Sequence, residues 1–144
     1  MAFSIRMEGL QDLNKRLHDL PGKVNRKIVR GALLRGIKPL ESRILGNLEW
    51  LLATRGSDSW RRPKGREPGD LMRSIGHRIV TYRNGLTAAW VGPSWPMGAH
   101  GVFLEYGTVK QDAKPFMRPA WDLMISRVES EINARVKELM MKEA

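Results

Sequence analysis

Cysteine is absent from this chain, which excludes a disulfide scaffold and thiol chemistry and removes the commonest ligand of a structural zinc site. Histidine is scarce, and His18, His77 and His100 are too scattered to form a His-x-x-x-His pair on one helix, so neither a metal nor another cofactor is expected. No apolar run approaches the ~20 residues of a membrane-crossing helix. The N-terminus MAFSIRMEGL lacks the apolar centre of a signal peptide, and the chain reads as an intracellular product without a membrane partner. Also missing are a Walker loop, a G-x-S-x-G elbow and a G-x-G-x-x-G fingerprint. The expectation is that the protein is not an enzyme.

Acidic residues are in deficit. Lys plus Arg number 25 against 15 Asp plus Glu, a net charge of +10. Residues 1–75 hold 16 basic and 8 acidic side chains and residues 76–144 hold 9 and 7, which assigns the excess to the N-terminal half. Such a bias attracts polyanions or acidic protein surfaces over a Debye length of roughly 8 to 10 Å. A length of 144 residues, with 42% hydrophobic and 28% charged side chains, predicts a single soluble domain over residues 1–144 with a packed core.

Hydrophobic periodicity supplies the elements. Leu10, Leu13, Leu17 and Leu20 form a helical stripe that stops at the breaker pair Pro21-Gly22. A second, longer helix is predicted from about Val24 to Ala53, on Val24, Ile28, Ala32, Leu33, Ile37, Leu40, Ile44, Leu48 and Leu51. Pro39 inside it predicts a kink or break near Gly36 to Pro39, because proline removes a backbone hydrogen bond and crowds the preceding turn. Residues 6–53 are thus the helical part. The polar side of the second helix carries Lys23, Arg26, Lys27, Arg30, Arg35 and Lys38, with no acidic residue between Lys23 and Lys38. A run of this kind is either a solvated helix face or a set of contacts for phosphate or an acidic partner.

Residues 54–70 are rich in glycine, proline and charge and hold one large apolar side chain, Trp60. They predict a mobile loop, since too little surface is available to offset the entropy of ordering it. Trp60 between Ser59 and the pair Arg61 and Arg62 suits an interface hot spot or stacking on a nucleic-acid base; an exposed ring without a role is the plain alternative.

Residues 71–115 are expected to form a sheet and loops. The runs Ile75–Tyr82 and Leu86–Gly92 flank Arg83-Asn84-Gly85, and Asn-Gly between two β-prone runs is a strong hairpin signal. Ile75, His77, Ile79 and Thr81 alternate with Gly76, Arg78, Val80 and Tyr82, predicting one buried face with Arg78 pointing outward. Pro93, Pro96, Gly98 and Gly101 predict an irregular link to Val102. A final helix over residues 116–142 follows from Trp121, Ile125, Val128, Ile132, Val136 and Leu139, which share one face. The expected class is α+β: N-terminal helices, a small antiparallel sheet, and a C-terminal amphipathic helix packed on that sheet.

The segment Phe103 to Asp122 is the most distinctive. Gly107 follows the bulky run Val102-Phe103-Leu104 and Tyr106, and its freedom to take positive φ suits a sharp end to an extended or helical element. Pro115 biases Lys114 toward extended backbone, while Pro119 fits the first turn of a helix, where a missing N–H costs least. Glu105 is the one carboxylate within the dense apolar motif. It could serve as a general base, but no nucleophile or orienting histidine is near in sequence, and a loop-anchoring hydrogen bond or salt bridge to Arg118 is the preferred reading.

The Glu105-Tyr106-Gly107-Thr108 turn followed by Pro115-Phe116-Met117-Arg118-Pro119-Ala120 resembles the neck, or tail-completion, family of long-tailed bacteriophages, the gene-product-ten type of a lambda-like coliphage. Gly9-Leu10 with its leucine stripe, Ala32-Leu33 to Pro39-Leu40, and Gly69-Asp70-Leu71-Met72-Arg73-Ser74-Ile75 resemble other parts of that family's layout. Gly98-Ala99-His100-Gly101 departs from it where a tyrosine-alanine pair is more usual, as does the basic 54–70 stretch. The resemblance implies a structural virion protein and homo-oligomer, a ring made hexameric by analogy with tail symmetry. That ring would complete the head–tail junction beside head-connector and tail-tube or tail-terminator proteins, after assembly in the host cytoplasm. Interface residues on this reading are Trp60, Arg61, Arg62, Glu105, Tyr106, Gly107, Thr108, Pro115, Phe116, Arg118 and Pro119. The alternative is a non-specific nucleic-acid-binding accessory protein that uses the basic half, and a junction ring could itself touch packaged double-stranded DNA.

Overall fold

The computed structural model describes residues 22–54, 69–96 and 98–143. They form α1 (Gly22–Thr54), α2 (Asp70–Ser74), β1 (Ile75–Thr81), β2 (Thr87–Pro93), α3 (Ala99–Tyr106) and α4 (Met117–Glu143), with β1 and β2 paired as a two-stranded sheet. The fold is α+β, with the C-terminal helix packed on the sheet. The predicted leucine-striped helix and the 54–70 loop fall outside the described residues, apart from the loop's ends. Among the described residues no helix is long and apolar enough to cross a membrane.

By its packing the chain divides into two compact units. The first comprises Met1–Pro39, Arg78–Trp90 and Ser126–Ala144; the second comprises Leu40–His77 and Val91–Ile125. The division is written into α1. Six of its seven buried positions among the described residues, Ile28, Ala32, Gly36, Leu40, Ile44 and Leu48, fall every fourth residue. A helix turns about 100° per residue, so each four-residue step advances the stripe by about 40°, and six positions wind it about 200° around the axis. The stripe therefore contributes to the first unit as far as Gly36 and to the second from Leu40. Of the predicted kink or break at Pro39, no break occurs: α1 is a single helix with Pro39 inside it.

In the first unit α1 and α4 run antiparallel at close range. A Cβ on Gly36 would lie 2.3 Å from Ile132 Cγ1 and 3.2 Å from the Val128 carbonyl oxygen, and one on Gly31 would lie 3.3 Å from Leu139 Cδ1. Gly36 thus has a packing role, where its nearness to Pro39 in sequence points only to bending. Val128, Ile132 and Val136 of α4 are buried here beside Ile28, Ala32 and Ile37 of α1. Along the polar side Arg35 Nε donates to Glu131 at 3.1 Å and Arg35 Nη1 to Glu138 at 3.3 Å.

The hairpin tip also lies in the first unit. Gly85 donates to the Tyr82 carbonyl at 3.0 Å, and Tyr82 donates to that of Leu86 at 2.8 Å. Gly85 has φ +84, whereas no non-glycine residue, Asn84 included, has positive φ. This is a three-residue loop in which glycine takes the left-handed position after a turn, rather than a mirror-image two-residue turn. Asn84 Oδ1 accepts from the Leu86 N–H at 3.1 Å, which stabilises the same loop. The alternation predicted for β1 does not become a buried face. Only Ile75 is buried, while Ile79 and Val80 are both half-buried and Arg78 is exposed as expected.

In the second unit the core is built from Leu40, Ile44 and Leu48 of α1, Leu71, Ile75, Leu104, and Phe116, Met117 and Ala120 at the start of α4. Residues 71–115, expected as sheet and loops, include the whole of α3 and nearly all of α2. Gly101, assigned to an irregular link, lies within α3, where a Cβ would come within 2.8 Å of Leu71 Cδ1. The absence of a side chain lets α3 sit directly against α2. Ser74 is buried and turns its hydroxyl to the Leu71 carbonyl at 2.7 Å, while its own carbonyl accepts from Ser94 at 2.8 Å. His77 Nδ1 lies 2.6 Å from Glu41 Oε2, tying β1 to α1.

Candidate functional site: a capped joint between two helices

The distinctive segment read from the sequence folds, within the second unit, into the joint between α3 and α4. Helix α3 presents Gly101, Leu104 and Glu105 inward and Val102, Phe103 and Tyr106 outward. Gly107 ends it. The backbone there has φ +76 and ψ 179, and the Gly107 N–H still donates to the Phe103 carbonyl at 2.8 Å. This combination belongs to a region that only glycine occupies without strain, and a Cβ would also lie 2.7 Å from Ala113 N and 2.8 Å from the Gln111 carbonyl oxygen. Backbone, not side chain, closes against Gly107.

Residues after Gly107 fold into a short return. Thr108 and Gln111 exchange backbone hydrogen bonds of 2.8 and 3.1 Å, and Lys114 donates to the Leu104 carbonyl at 2.7 Å. Chain direction is thereby set before Pro115. Phe116, 1% exposed, fills the core beside the fully enclosed Leu104, and its carbonyl accepts from Asn47 Nδ2 of α1 at 3.1 Å.

Glu105 is 0% exposed. Its Oε2 accepts from the backbone N–H groups of Phe116 at 2.8 Å and Met117 at 2.9 Å, and its Oε1 accepts from the Arg118 N–H at 3.0 Å. These amides begin α4 and have no partner inside the helix. A carboxylate among them also meets the positive end of the helix dipole. Arg118 adds a weaker tie through Nε to Oε1 at 3.4 Å and Nη2 to the Glu105 carbonyl at 3.4 Å, and its guanidinium lies 4.7 Å from the Tyr106 ring centroid. The expected Glu105 and Arg118 pair is present, but backbone amides are the carboxylate's principal partners. Sequence reading named the Arg118 side chain and missed the amides, because a backbone N–H is common to every residue but proline and carries no signal of its partner.

The arrangement corrects part of the proposed interface. Glu105 and Phe116 are enclosed within the chain, so they hold the joint and offer no side chain to a partner. Thr108, Pro115, Arg118 and Pro119 are exposed, with Gly107 half-buried. Tyr106, also named for that interface, is 37% exposed, and the apolar surface that sequence reading overlooked lies beside it: Val102, Phe103 and Val109 are 45%, 56% and 106% exposed. Trp60, Arg61 and Arg62 lie outside the described residues. Of the basic run on α1, Arg26, Lys27, Arg30 and Lys38 are exposed, Arg35 faces the acids of α4, and the Lys23 side chain lies outside the described set.

Chemically, both oxygens of Glu105 are occupied by donors and no solvent reaches them, which suits an anchor and leaves no free lone pair aimed at a substrate. Among the described residues no group of three or more His, Asp or Glu side chains is placed to hold a metal ion. No family model, no curated protein and no solved structure was found to match the chain.

Proposed function

We propose that the protein is a structural component of a tailed-phage virion, a ring-forming subunit that completes the junction between head and tail. The observation that carries this reading is the Glu105-capped joint with its bare apolar rim. A buried carboxylate fixes the angle at which α4 leaves α3, while Val102, Phe103 and Val109 stand in solvent beside it. Large apolar side chains grouped on a small protein are the composition of a protein contact. A rigid joint under that rim holds it in one geometry, as a repeating contact between subunits requires. The resemblance of Glu105–Thr108 and Pro115–Ala120 to the neck family supplies the biological setting.

The test is assembly. Light scattering on the purified protein, alone and mixed with its junction neighbours, should show a multi-copy ring in at least one condition. A phage with a nonsense codon in this gene should accumulate DNA-filled heads and separate tails. Monomer under every condition together with normally joined virions would overturn the proposal.

A further inference from the structure

Among the described residues the basic charge is divided unequally between the two compact units. In the first unit, the described residues carry 12 Lys and Arg against 4 Asp and Glu, net +8; in the second they carry 5 against 6, net −1. The hairpin segment 78–90 brings Arg78 and Arg83 into the first unit without any acidic residue, and residues 22–39 are likewise free of acid. The acids among the described residues of that unit all lie on α4, and two are already engaged: Glu131 by Arg35, and Glu138 by Arg35, Arg135 and Lys142. Glu138 is held below its ordinary pKa by its hydrogen bonds to Arg135 and then to Lys142.

What is left over is a cationic surface that the described acids of the unit do not neutralise. Arg26, Lys27, Arg30 and Lys38 are exposed, and among the described residues no ion pair holds them. At about 100° per residue these four fall within about 120° of the circumference of α1, and Arg26 to Lys38 spans roughly 18 Å of its length. Their spread suits a line of charge better than a single anion. Duplex DNA presents one phosphate charge per ~1.7 Å of axis. An acidic protein partner would instead be met by an apolar centre with few lysines, and among the described residues the one large exposed apolar side chain between Arg26 and Lys38 is Leu34, 37% exposed.

We infer that the first unit binds the phosphate backbone of double-stranded DNA through the exposed cations of α1, with Arg78 and Arg83 of the hairpin adding to the same field, and without reading base sequence. Phosphate contacts alone position a protein on a duplex and carry no sequence information. This goes beyond the junction proposal and does not depend on it, since DNA affinity is measured on the isolated protein.

Fluorescence anisotropy of the full chain with a labelled random-sequence duplex, in salt from about 50 to 200 mM, tests it. Binding should weaken steeply with salt and be indifferent to sequence. The triple variant Arg26→Gln/Lys27→Gln/Arg30→Gln should lower affinity at least about 10-fold at the low-salt end and flatten the log–log salt slope by about 2 to 3, near 0.9 for each phosphate no longer neutralised. Arg78→Gln/Arg83→Gln should produce a smaller drop of the same kind, and Lys110→Gln/Lys114→Gln in the second unit should leave both quantities unchanged. Circular dichroism confirms that each variant is folded, and the hairpin pair serves should the helix triple fail to fold. No binding at low salt overturns the inference. So do an unaffected triple variant, an equal drop from the second-unit pair, a preferred sequence surviving random competitor, or displacement by polyglutamate as effective as by unlabelled duplex.

Discussion

Glu105 and Pro119 between them account for every amide that α4 leaves unpaired at its start. Phe116, Met117 and Arg118 donate to the Glu105 carboxylate, and the fourth position is Pro119, which has no N–H to satisfy. A helix end enclosed in the core is thus left without an orphan donor, although its cap comes from a different helix rather than from the residue before it.

Glu105→Gln should therefore cost more than an ordinary cap substitution. The amide keeps one acceptor and turns its NH₂ toward an N–H that needs one, so urea unfolding should show a loss of about 2 to 3 kcal/mol. Glu105→Ala should lose on the order of 3 to 5 kcal/mol, the range seen when one member of a buried charged pair is removed. Arg118→Ala should cost under about 1 kcal/mol, because that side chain is half exposed. Equal losses for Arg118→Ala and Glu105→Gln would mean that the ion pair, and not the amide cap, holds the joint.

At Gly107 the usual substitute for a left-handed helix end should fail. Asparagine tolerates ordinary left-handed backbone, but ψ of 179 lies outside that region and a Cβ meets the backbone of Ala113 and Gln111. Gly107→Asn and Gly107→Ala should each lose upward of about 2 kcal/mol, the sum of backbone strain and collision. Thermal melts of the two variants decide it; a harmless Gly107→Asn would show that the return loop yields.

Gly36→Ala sets two effects against each other. Alanine gains about 1 kcal/mol in helix propensity. Its methyl would stand 2.3 Å from Ile132 Cγ1, with the Val128 carbonyl behind, and overpacking costs typically about 1 to 3 kcal/mol. The net change should be a loss, with Gly36→Leu far worse. The double variant Gly36→Ala/Ile132→Ala should recover part of the clash term, and absence of any coupling between the two would contradict the close approach of α1 and α4.

The pH dependence of Glu138 has a definite sign. Its folded pKa is depressed by Arg135 and Lys142, so its contribution to stability is present above the unfolded carboxyl value and fades as pH falls through the folded one. Wild type should exceed Glu138→Gln in stability near neutrality, and the gap should narrow below about pH 4 and with added salt, since the cluster is exposed. Denaturant titrations at several pH values check this. A gap independent of pH would assign the effect to packing.

Much of the fold is legible in the sequence because it rests on local interactions. The four-residue spacing of apolar positions determines α1 and the Val128–Val136 stretch of α4, and Asn84-Gly85 between two β-prone runs determines the hairpin. Pro119 and Gly107 announce a helix start and an element end, since each restricts or frees its own backbone. Helix α3 escaped notice because Gly98 and Gly101 read as breakers when their neighbours are unknown, whereas their small size is what lets Pro93 and Leu71 pack against them.

Tertiary structure alone decided the rest. It brings Glu105 to amides 11 to 13 residues away, places Gly36 against Ile132, and turns Arg35 to Glu131 across a separation of 96 positions. It also gathers the hairpin arginines and the first half of α1 into one cationic unit. Composition determines how much charge the chain carries, and periodicity determines which residues face inward. Which charge remains unpaired, and which glycine must have no side chain, depend on how distant segments meet, and those meetings exist only once the chain has packed.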